Sequence, residues 1–112
     1  MPRLETAFAT PVTREAAIRL GAAIRQARLA RRMSTAECAE RARISRATLV
    51  RIESGAVAVR LGAWLSALEV CNLLHLLATV SNPDQDALGR VERQREARKR
   101  TRATKAKPEY DF

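Results

Sequence analysis

Aromatic residues are scarce in this chain, at 4% of its 112 residues. Because proteins that read single-stranded RNA stack its bases on aromatic rings, this scarcity argues against that kind of recognition. Glycines are few as well, and the isolation of all four excludes a glycine-rich loop that cradles phosphate. The chain also shows no paired carboxylates in an apolar setting and no nucleophile with a base beside it, so we do not expect an enzyme.

Cysteine is limited to Cys38 and Cys71. Both lie on the inward-facing stripes of the helices in which we place them, so we interpret them as reduced core residues, with a disulfide between them as the alternative. A zinc site needs three or four ligands and only His75 could join the two thiols. We therefore expect no metal and no other cofactor.

Long apolar runs are missing too. Residues 1–10 carry none that is typical of a secretory signal, and the most apolar stretch, Leu73–Leu77, is far too short to span a bilayer. We expect a cytoplasmic protein that does not associate with membranes.

Positive charge, in contrast, is abundant. The chain carries 21 lysines and arginines against 12 acidic residues, which gives a net charge of +9. Such a balance predicts attraction to partners rich in phosphate or acid, with a merely solvated surface as the alternative. The length suffices for one small domain and its tails.

Ser34–Gly55 has the pattern of two short helices joined by a tight turn. Ser34 and Glu37 form a capping box, in which the serine oxygen accepts the N–H of Glu37 and the glutamate reaches back to the N–H of Ser34. Ser45 is again a favourable N-cap, so the first helix ends near Ala42 and a second begins. Gly55 ends the second helix.

The spacing within this stretch suits helix-turn-helix geometry. Ala39 is small where two helices must approach closely, and Ile44 is apolar in the turn. Leu49 and Ile52, three residues apart, form the buried stripe of the second helix. The residues that this leaves on its outer face are Arg46, Ala47, Val50 and Arg51.

From about Leu20 to Cys71 the chain resembles the Xre-type helix-turn-helix proteins related to phage lambda repressor and Cro. The residues that carry the resemblance are Ala39, Ile44, Ser45, Thr48, Leu49, Ile52, Glu53 and Gly55. Two positions depart from the family pattern. Arg43 stands where glycine is usual, so it must take a left-handed or bridging conformation at a cost of roughly 1 kcal/mol. Thr35 stands where the family often has glutamine, and its reach to a phosphate is shorter.

The resemblance implies an all-α, five-helix lambda-repressor-like domain that represses transcription as a dimer on a palindromic operator in double-stranded DNA. The DNA-binding residues it implies are Thr35, Ser45, Arg46, Ala47, Thr48, Val50 and Arg51. Of these, Thr35 and Ser45 would contact phosphates, and Arg46 and Ala47 would reach base edges. Val50 could meet a thymine methyl group, and Arg51 a guanine or a phosphate.

We divide the chain into a flexible arm at residues 1–12, the helix-turn-helix domain at 13–80, and a C-terminal helix with a basic tail at 81–112.

Thr13 caps the first helix, and the residues predicted on its buried face are Ala17, Leu20, Ile24 and Ala27. A later helix begins at Leu61, and the side chains predicted to cover the motif from behind are Leu61, Trp64, Leu68 and Cys71. Leucines from 73 to 77 extend this helix on more than one side, which favours a homodimer. Val57 and Val59 are an alternative dimer surface.

The C-terminal region begins with a cap and proline at Ser81–Asp84, which predict a helix to about Arg95. Nine basic residues and two acids lie between Arg90 and Lys107. We expect this stretch to be a partly disordered tail that solubilises the protein, binds DNA phosphates or folds against an acidic partner. Tyr110 and Phe112 then form a short docking peptide for a protein partner.

The order of these segments also looks like that of the small HipB-like antitoxins, which pair with a HipA-like kinase toxin and repress their own operon. This likeness implies an autoregulating antitoxin of a type II toxin-antitoxin pair. The alternative is a stand-alone Xre-type regulator with no toxin partner.

Overall fold

A computed structural model describes residues 7–106, which form six α-helices and no strand. The contacts of the chain divide it into two units, Met1–His75 and Leu76–Phe112. The helices of the first unit are α1 (Pro11–Ala30), α2 (Thr35–Ala42), α3 (Arg46–Glu53) and α4 (Leu61–Val70). Those of the second are α5 (Ala78–Ser81) and α6 (Ala87–Ala106), with a 3-10 turn at Pro83–Gln85. A further 3-10 turn, Leu74–Leu77, includes the last residues of the first unit and the first residues of the second. The all-α class is confirmed, with six helices in place of the five predicted.

Helix α1 begins three residues before the start that a cap at Thr13 predicts. Pro11 occupies its first position, where the missing N–H costs no hydrogen bond and the fixed φ suits a helix. The hydroxyl oxygen of Thr10 accepts the backbone N–H of Thr13 at 3.2 Å. Thr10, and not Thr13, is therefore the cap, and Pro11 and Val12 belong to the helix. Of the rest of the predicted arm, residues 7–10 precede the helix, and residues 1–6 lie outside the described residues.

All four helices of the first unit end in the same backbone turn. In each, one residue takes the left-handed conformation and two backbone hydrogen bonds close the last turn, the Schellman arrangement. At the end of α4, for example, the N–H of Leu73 donates to Leu68 at 2.8 Å and that of Asn72 to Glu69 at 2.9 Å. The left-handed residues and their φ angles are Arg32 (55°), Arg43 (59°), Gly55 (84°) and Asn72 (57°).

The turn at Asn72 corrects the prediction that the leucine-rich segment continues α4. Asparagine tolerates positive φ better than other non-glycine residues, so it ends the helix at Val70. Leu74–Leu77 then forms a 3-10 turn, and α5 is a single helical turn. The leucines therefore lie on separate short elements and not along one helix.

The core of the first unit lies where α2 packs on both α3 and α4, and where α1 packs on α3. Its largest fully buried side chains are Ile24, Cys38, Leu49, Ile52 and Cys71. Trp64 and Leu68 are buried from α4, as predicted. Leu20 and Leu61, in contrast, are exposed. The buried stripe of α1 instead contains Gly21, Ile24 and Arg28.

Helix α6 corrects the prediction of a helix that stops near Arg95. Asp86 begins it, with a carboxylate oxygen that accepts the N–H of Gly89 at 3.1 Å. The helix then continues to Ala106 through residues of good helix propensity, with no glycine or proline after Gly89. Ion pairs one turn apart, Arg95 with Glu92 and Lys99 with Glu96, add modest support. No helix within residues 7–106 combines the length and apolar character that crossing a bilayer requires.

Candidate nucleic-acid interface

Two serines position the helices of the motif. The Oγ of Ser34 accepts the N–H of Glu37 at 3.0 Å, which confirms the first half of the predicted capping box. The Glu37 carboxylate, however, pairs with Arg41 at 2.8 Å instead of reaching back to Ser34. At the start of α3, the Oγ of Ser45 accepts the N–H of Thr48 at 3.0 Å and donates to its hydroxyl at 2.8 Å. Both helix starts are therefore satisfied by short-range contacts.

Arg43 forms the turn between α2 and α3. Its φ of 59° and ψ of 39° are left-handed, as its place in the turn predicts. The next residue, Ile44, donates its N–H to Ala39 at 3.0 Å, which ties the turn to the end of α2. The chain can then leave α2 and begin α3 within three residues.

Helix α3 presents a polar and basic face to solvent. Leu49 and Ile52 are fully buried, which fixes the rotation of the helix about its axis. The opposite face is exposed and contains Arg46, Ala47, Val50 and Arg51, as the sequence predicts. Val50 is 56% exposed, unusually open for a valine within a short packed helix. This face combines guanidinium donors with a methyl-bearing side chain, the groups that read guanine and thymine in a major groove.

A concavity of about 350 Å³ lies beside this face. Its lining residues come from α1, α2 and the end of α3, and they are Arg25, Arg28, Thr35, Val50, Glu53 and Ser54. Thr35 occupies the first turn of α2, where N–H groups and the helix dipole favour an anion. The exposed Arg25 lies on the same concavity. This arrangement brings Thr35 and Val50, predicted separately, to one surface.

A buried ion pair fixes the C-terminal end of α3. Arg28 donates from Nε to Oε2 of Glu53 at 2.7 Å and from Nη2 to Oε1 at 3.0 Å. Its Nη1 donates to the carbonyl of Met33 at 2.9 Å. The hydrogen bonds to Glu53 raise the pKa of Arg28 above its ordinary value, against the opposing effect of burial, so the guanidinium stays charged. Helix α3 is thereby joined to α1 and to the turn before α2.

Two glycines allow α1 and α3 to approach closely. A Cβ on Gly21 would overlap the carbonyl oxygen of Ile52 and lie 3.0 Å from that of Glu53. A Cβ on Gly55 would lie 2.5 Å from the Cα of Ile18, and Gly55 also has a φ of +84°. At both glycines, the backbone of α1 therefore lies against the backbone at the C-terminal end of α3.

The two cysteines are free and fully buried. Burial raises the pKa of Cys38 to about 11 and also raises that of Cys71. Both thiols are therefore neutral at physiological pH, and they pack as apolar groups, as predicted. Among the described residues no three His, Cys, Asp or Glu side chains converge on a point where they could hold a metal ion.

Most predicted DNA-binding residues lie on this one surface. Arg46, Ala47, Val50 and Arg51 share the outer face of α3, with Ser45 and Thr48 at its start and Thr35 across the concavity. Their contacts with DNA stay a prediction. The predicted partner-binding residues, Tyr110 and Phe112, lie outside the described residues. Arg28 is not among the predicted site residues, although its spacing of four from Ile24 places it on the buried stripe of α1.

Helices α2 and α3, the left-handed turn between them and the exposed face of α3 define a helix-turn-helix protein. Residues 19–79 match the family model described as a helix-turn-helix domain, and the chain belongs to this family. A domain of this family indicates DNA binding and transcriptional regulation. No curated protein and no solved structure matches the chain.

Proposed function

We propose that the protein is a transcriptional repressor that binds a palindromic operator as a homodimer. The observation that carries the proposal is the asymmetry of α3. Its inner face is fully buried at Leu49 and Ile52, whereas Arg46, Val50 and Arg51 are exposed. A helix that packs on the core through one face and exposes guanidinium and methyl groups on the other suits direct reading of base edges.

The roles proposed for the individual side chains follow from their positions. Arg46 and Ala47 begin α3, the end of a recognition helix that usually reaches the bases. Arg46 can donate two hydrogen bonds to one guanine, and Ala47 and Val50 can contact a thymine methyl group. Ser45 and Thr35 lie at helix N-termini, where hydroxyl and N–H groups favour phosphate.

Exposed apolar residues of the second unit support self-association. None of residues 76–104 is buried, and Val80 and Leu88 are 85% and 73% exposed. Leu76 and Val91 add further exposed apolar surface. A second copy offers an identical surface, and a two-fold dimer would set two recognition helices roughly 34–36 Å apart, one turn of DNA.

We further propose that this repressor is an antitoxin, which binds a toxin and represses its own operon. This proposal rests on the order of the segments along the chain and on Tyr110 and Phe112 as the residues proposed to bind a HipA-like kinase. Its test is copurification of the full chain, and of a chain without residues 109–112, with the product of the neighbouring gene. Retention by the full chain alone supports the antitoxin role, and equal behaviour of both chains favours a stand-alone regulator.

Selection of bound sequences from a random duplex pool, at two salt concentrations, tests the repressor proposal. We expect a palindrome whose half-sites are about ten base pairs apart and whose selection persists at higher salt. Binding that is unselective at both salt concentrations would contradict base reading by α3. A single half-site without its palindromic mate would contradict the dimer while leaving base reading intact.

A further inference from the structure

Helix α6 carries many positively charged side chains, and most of them form no ion pair within the described residues. Between Arg90 and Arg102 it bears seven basic side chains and two acidic ones. Only Arg95 and Lys99 among these form ion pairs within the described residues, at 3.6 and 3.7 Å. Arg93 donates to the carbonyl of Pro83 at 2.6 Å. Four arginines of the helix have no such pairing there, and they are Arg90, Arg98, Arg100 and Arg102.

The cations lie on opposite sides of the helix. At 100° per residue, Arg98 and Arg102 lie one turn apart on one side, and Arg100 points in the reverse direction. A helix with side chains is roughly 10–12 Å across, and a major groove about 12 Å wide has a phosphate strand along each edge. Arg98 and Arg102 can therefore face one phosphate strand while Arg100 faces the other.

The same segment lacks what a protein interface needs. From Glu92 to Thr104 the only apolar side chains are Ala97 and Ala103. Protein interfaces draw their stability from a dry core with aromatic, methionine or aliphatic anchors, and none is present here. The hydroxyls of Thr101 and Thr104 donate to carbonyls of the helix itself, each at 2.9 Å. Phosphate binding needs only the cations.

We infer that α6 is a second DNA-binding element, which holds the phosphate backbones of duplex DNA through Arg98, Arg100 and Arg102 and does not read bases. Because duplex DNA is the ligand of the proposed function, this role of α6 rests on that function. The helix adds affinity that falls with salt, and α3 supplies the sequence preference.

The test measures affinity against salt concentration for the full chain. The ligands are an operator duplex from the selection, a random duplex and an RNA duplex, all of equal length. The test variant is Arg98→Gln/Arg100→Gln/Arg102→Gln, and its matched control replaces the same three arginines by lysine. A parallel arm uses Arg46→Ala, which changes α3 alone.

The plot of log K against log salt concentration has a negative slope, and each phosphate contact contributes about −0.9 to it. We therefore expect the slope of the triple glutamine variant to be less steep than that of the wild type by about 2.7. Its binding in about 0.1 M salt should weaken at least tenfold on both DNA duplexes alike. The lysine control should bind within about twofold of the wild type, because phosphate contact requires charge and not the guanidinium fork.

The other outcomes separate the two proposals. An unchanged slope in the glutamine variant, with operator preference still lost in Arg46→Ala, overturns the role of α6 and leaves the repressor standing. A reduced slope without any preferred sequence overturns the repressor and supports a phosphate grip. Loss of operator preference in the glutamine variant means that α6 reads bases, and tighter binding of RNA than of DNA means that its ligand is RNA. Both results overturn the inference.

Discussion

The guanidinium of Arg28 lies against the carboxylate of Glu53 in a bidentate pair, with donor to acceptor distances of 2.7 and 3.0 Å. The two side chains are each 8% exposed, and 25 residues separate them in the chain. The pair joins the last turn of α1 to the last residue of the recognition helix. The position of the exposed face of α3 thus depends on one buried electrostatic contact as well as on the apolar core.

Removing one partner of this pair should be costly. In Glu53→Gln the charge of Arg28 stays buried with no anion to balance it, and such a change typically destabilises a protein by about 3–5 kcal/mol. We expect a loss of this order in the free energy of unfolding, measured by urea denaturation. Weakened operator binding should accompany it, because α3 loses its attachment to α1.

The matched control is Glu15→Gln, which breaks the exposed pair between Glu15 and Arg19. Its side chains are 64% and 77% exposed, so water screens the attraction and the loss should stay below about 0.5 kcal/mol. Equal losses in Glu53→Gln and Glu15→Gln would show that burial does not strengthen the Arg28 pair.

Gly21 provides a second test of the contact between α1 and α3. In Gly21→Ala the new methyl group overlaps the carbonyl oxygen of Ile52, so backbone must shift. Overpacking of this kind costs about 1–3 kcal/mol, and in a domain of this size each kcal/mol lowers Tm by about 4–8 °C. The thermal unfolding midpoint, followed by circular dichroism, should fall accordingly.

Gly62→Ala is the matched control, and we expect it to raise the stability of the protein instead of lowering it. Nothing lies within 4 Å of the Cβ that alanine would add there. Alanine in α4 should stabilise the protein by up to about 0.5–1 kcal/mol, because it reduces the freedom of the unfolded chain. A Gly21→Ala variant as stable as Gly62→Ala would disprove the close approach of the two helices.

The motif itself could be predicted because its signals are local. Ser34 and Ser45 cap helices through residues three positions away, and Leu49 and Ile52 form a stripe within one helix. The left-handed conformation of Arg43 is predicted from the family resemblance, because glycine is usual at that position. Each of these features depends on a few neighbouring residues.

What could not be predicted depends on partners distant in the chain. Arg28 lies on the buried stripe of α1, four residues from Ile24, but the carboxylate that balances its charge there belongs to Glu53, 25 residues away in the chain. Asn72 ends α4 through a backbone turn, although the leucines that follow continue the helical period. The length of α6 depends on the helix propensity of its residues, because no face of this helix is buried. The spacing of apolar residues therefore could not predict where α6 ends.

The buried thiol of Cys38 should make stability depend on pH. Its pKa is raised from an ordinary 9.0 to about 11 in the folded protein. The folded state therefore keeps a proton that the unfolded state releases, and stability declines as pH rises between these values. At one pKa unit per 1.36 kcal/mol, the contribution lost is about 2–3 kcal/mol.

Urea unfolding at about pH 8 and about pH 10.5, under reducing conditions, measures this dependence. Cys38→Ala is expected to be less stable at both pH values, since it leaves a small cavity, but its stability should fall less between them. If the stability of Cys38→Ala falls as steeply between the two pH values as that of the wild type, the pH dependence comes from other groups and not from Cys38.

Arg46 distinguishes base reading from general attraction to DNA. If Arg46 reads a guanine as proposed, Arg46→Ala removes that bidentate contact, which costs about 1–3 kcal/mol of discrimination, or roughly 5- to 150-fold in operator affinity. Arg46→Lys keeps the charge but not the planar fork, so it should also lose operator preference while binding a random duplex nearly as well as the wild type. Fluorescence anisotropy with both duplexes measures the ratio. If Arg46→Ala weakens the two duplexes equally and Arg46→Lys restores both, Arg46 contacts phosphate, and the specificity of α3 must come from Ala47, Val50 and Arg51.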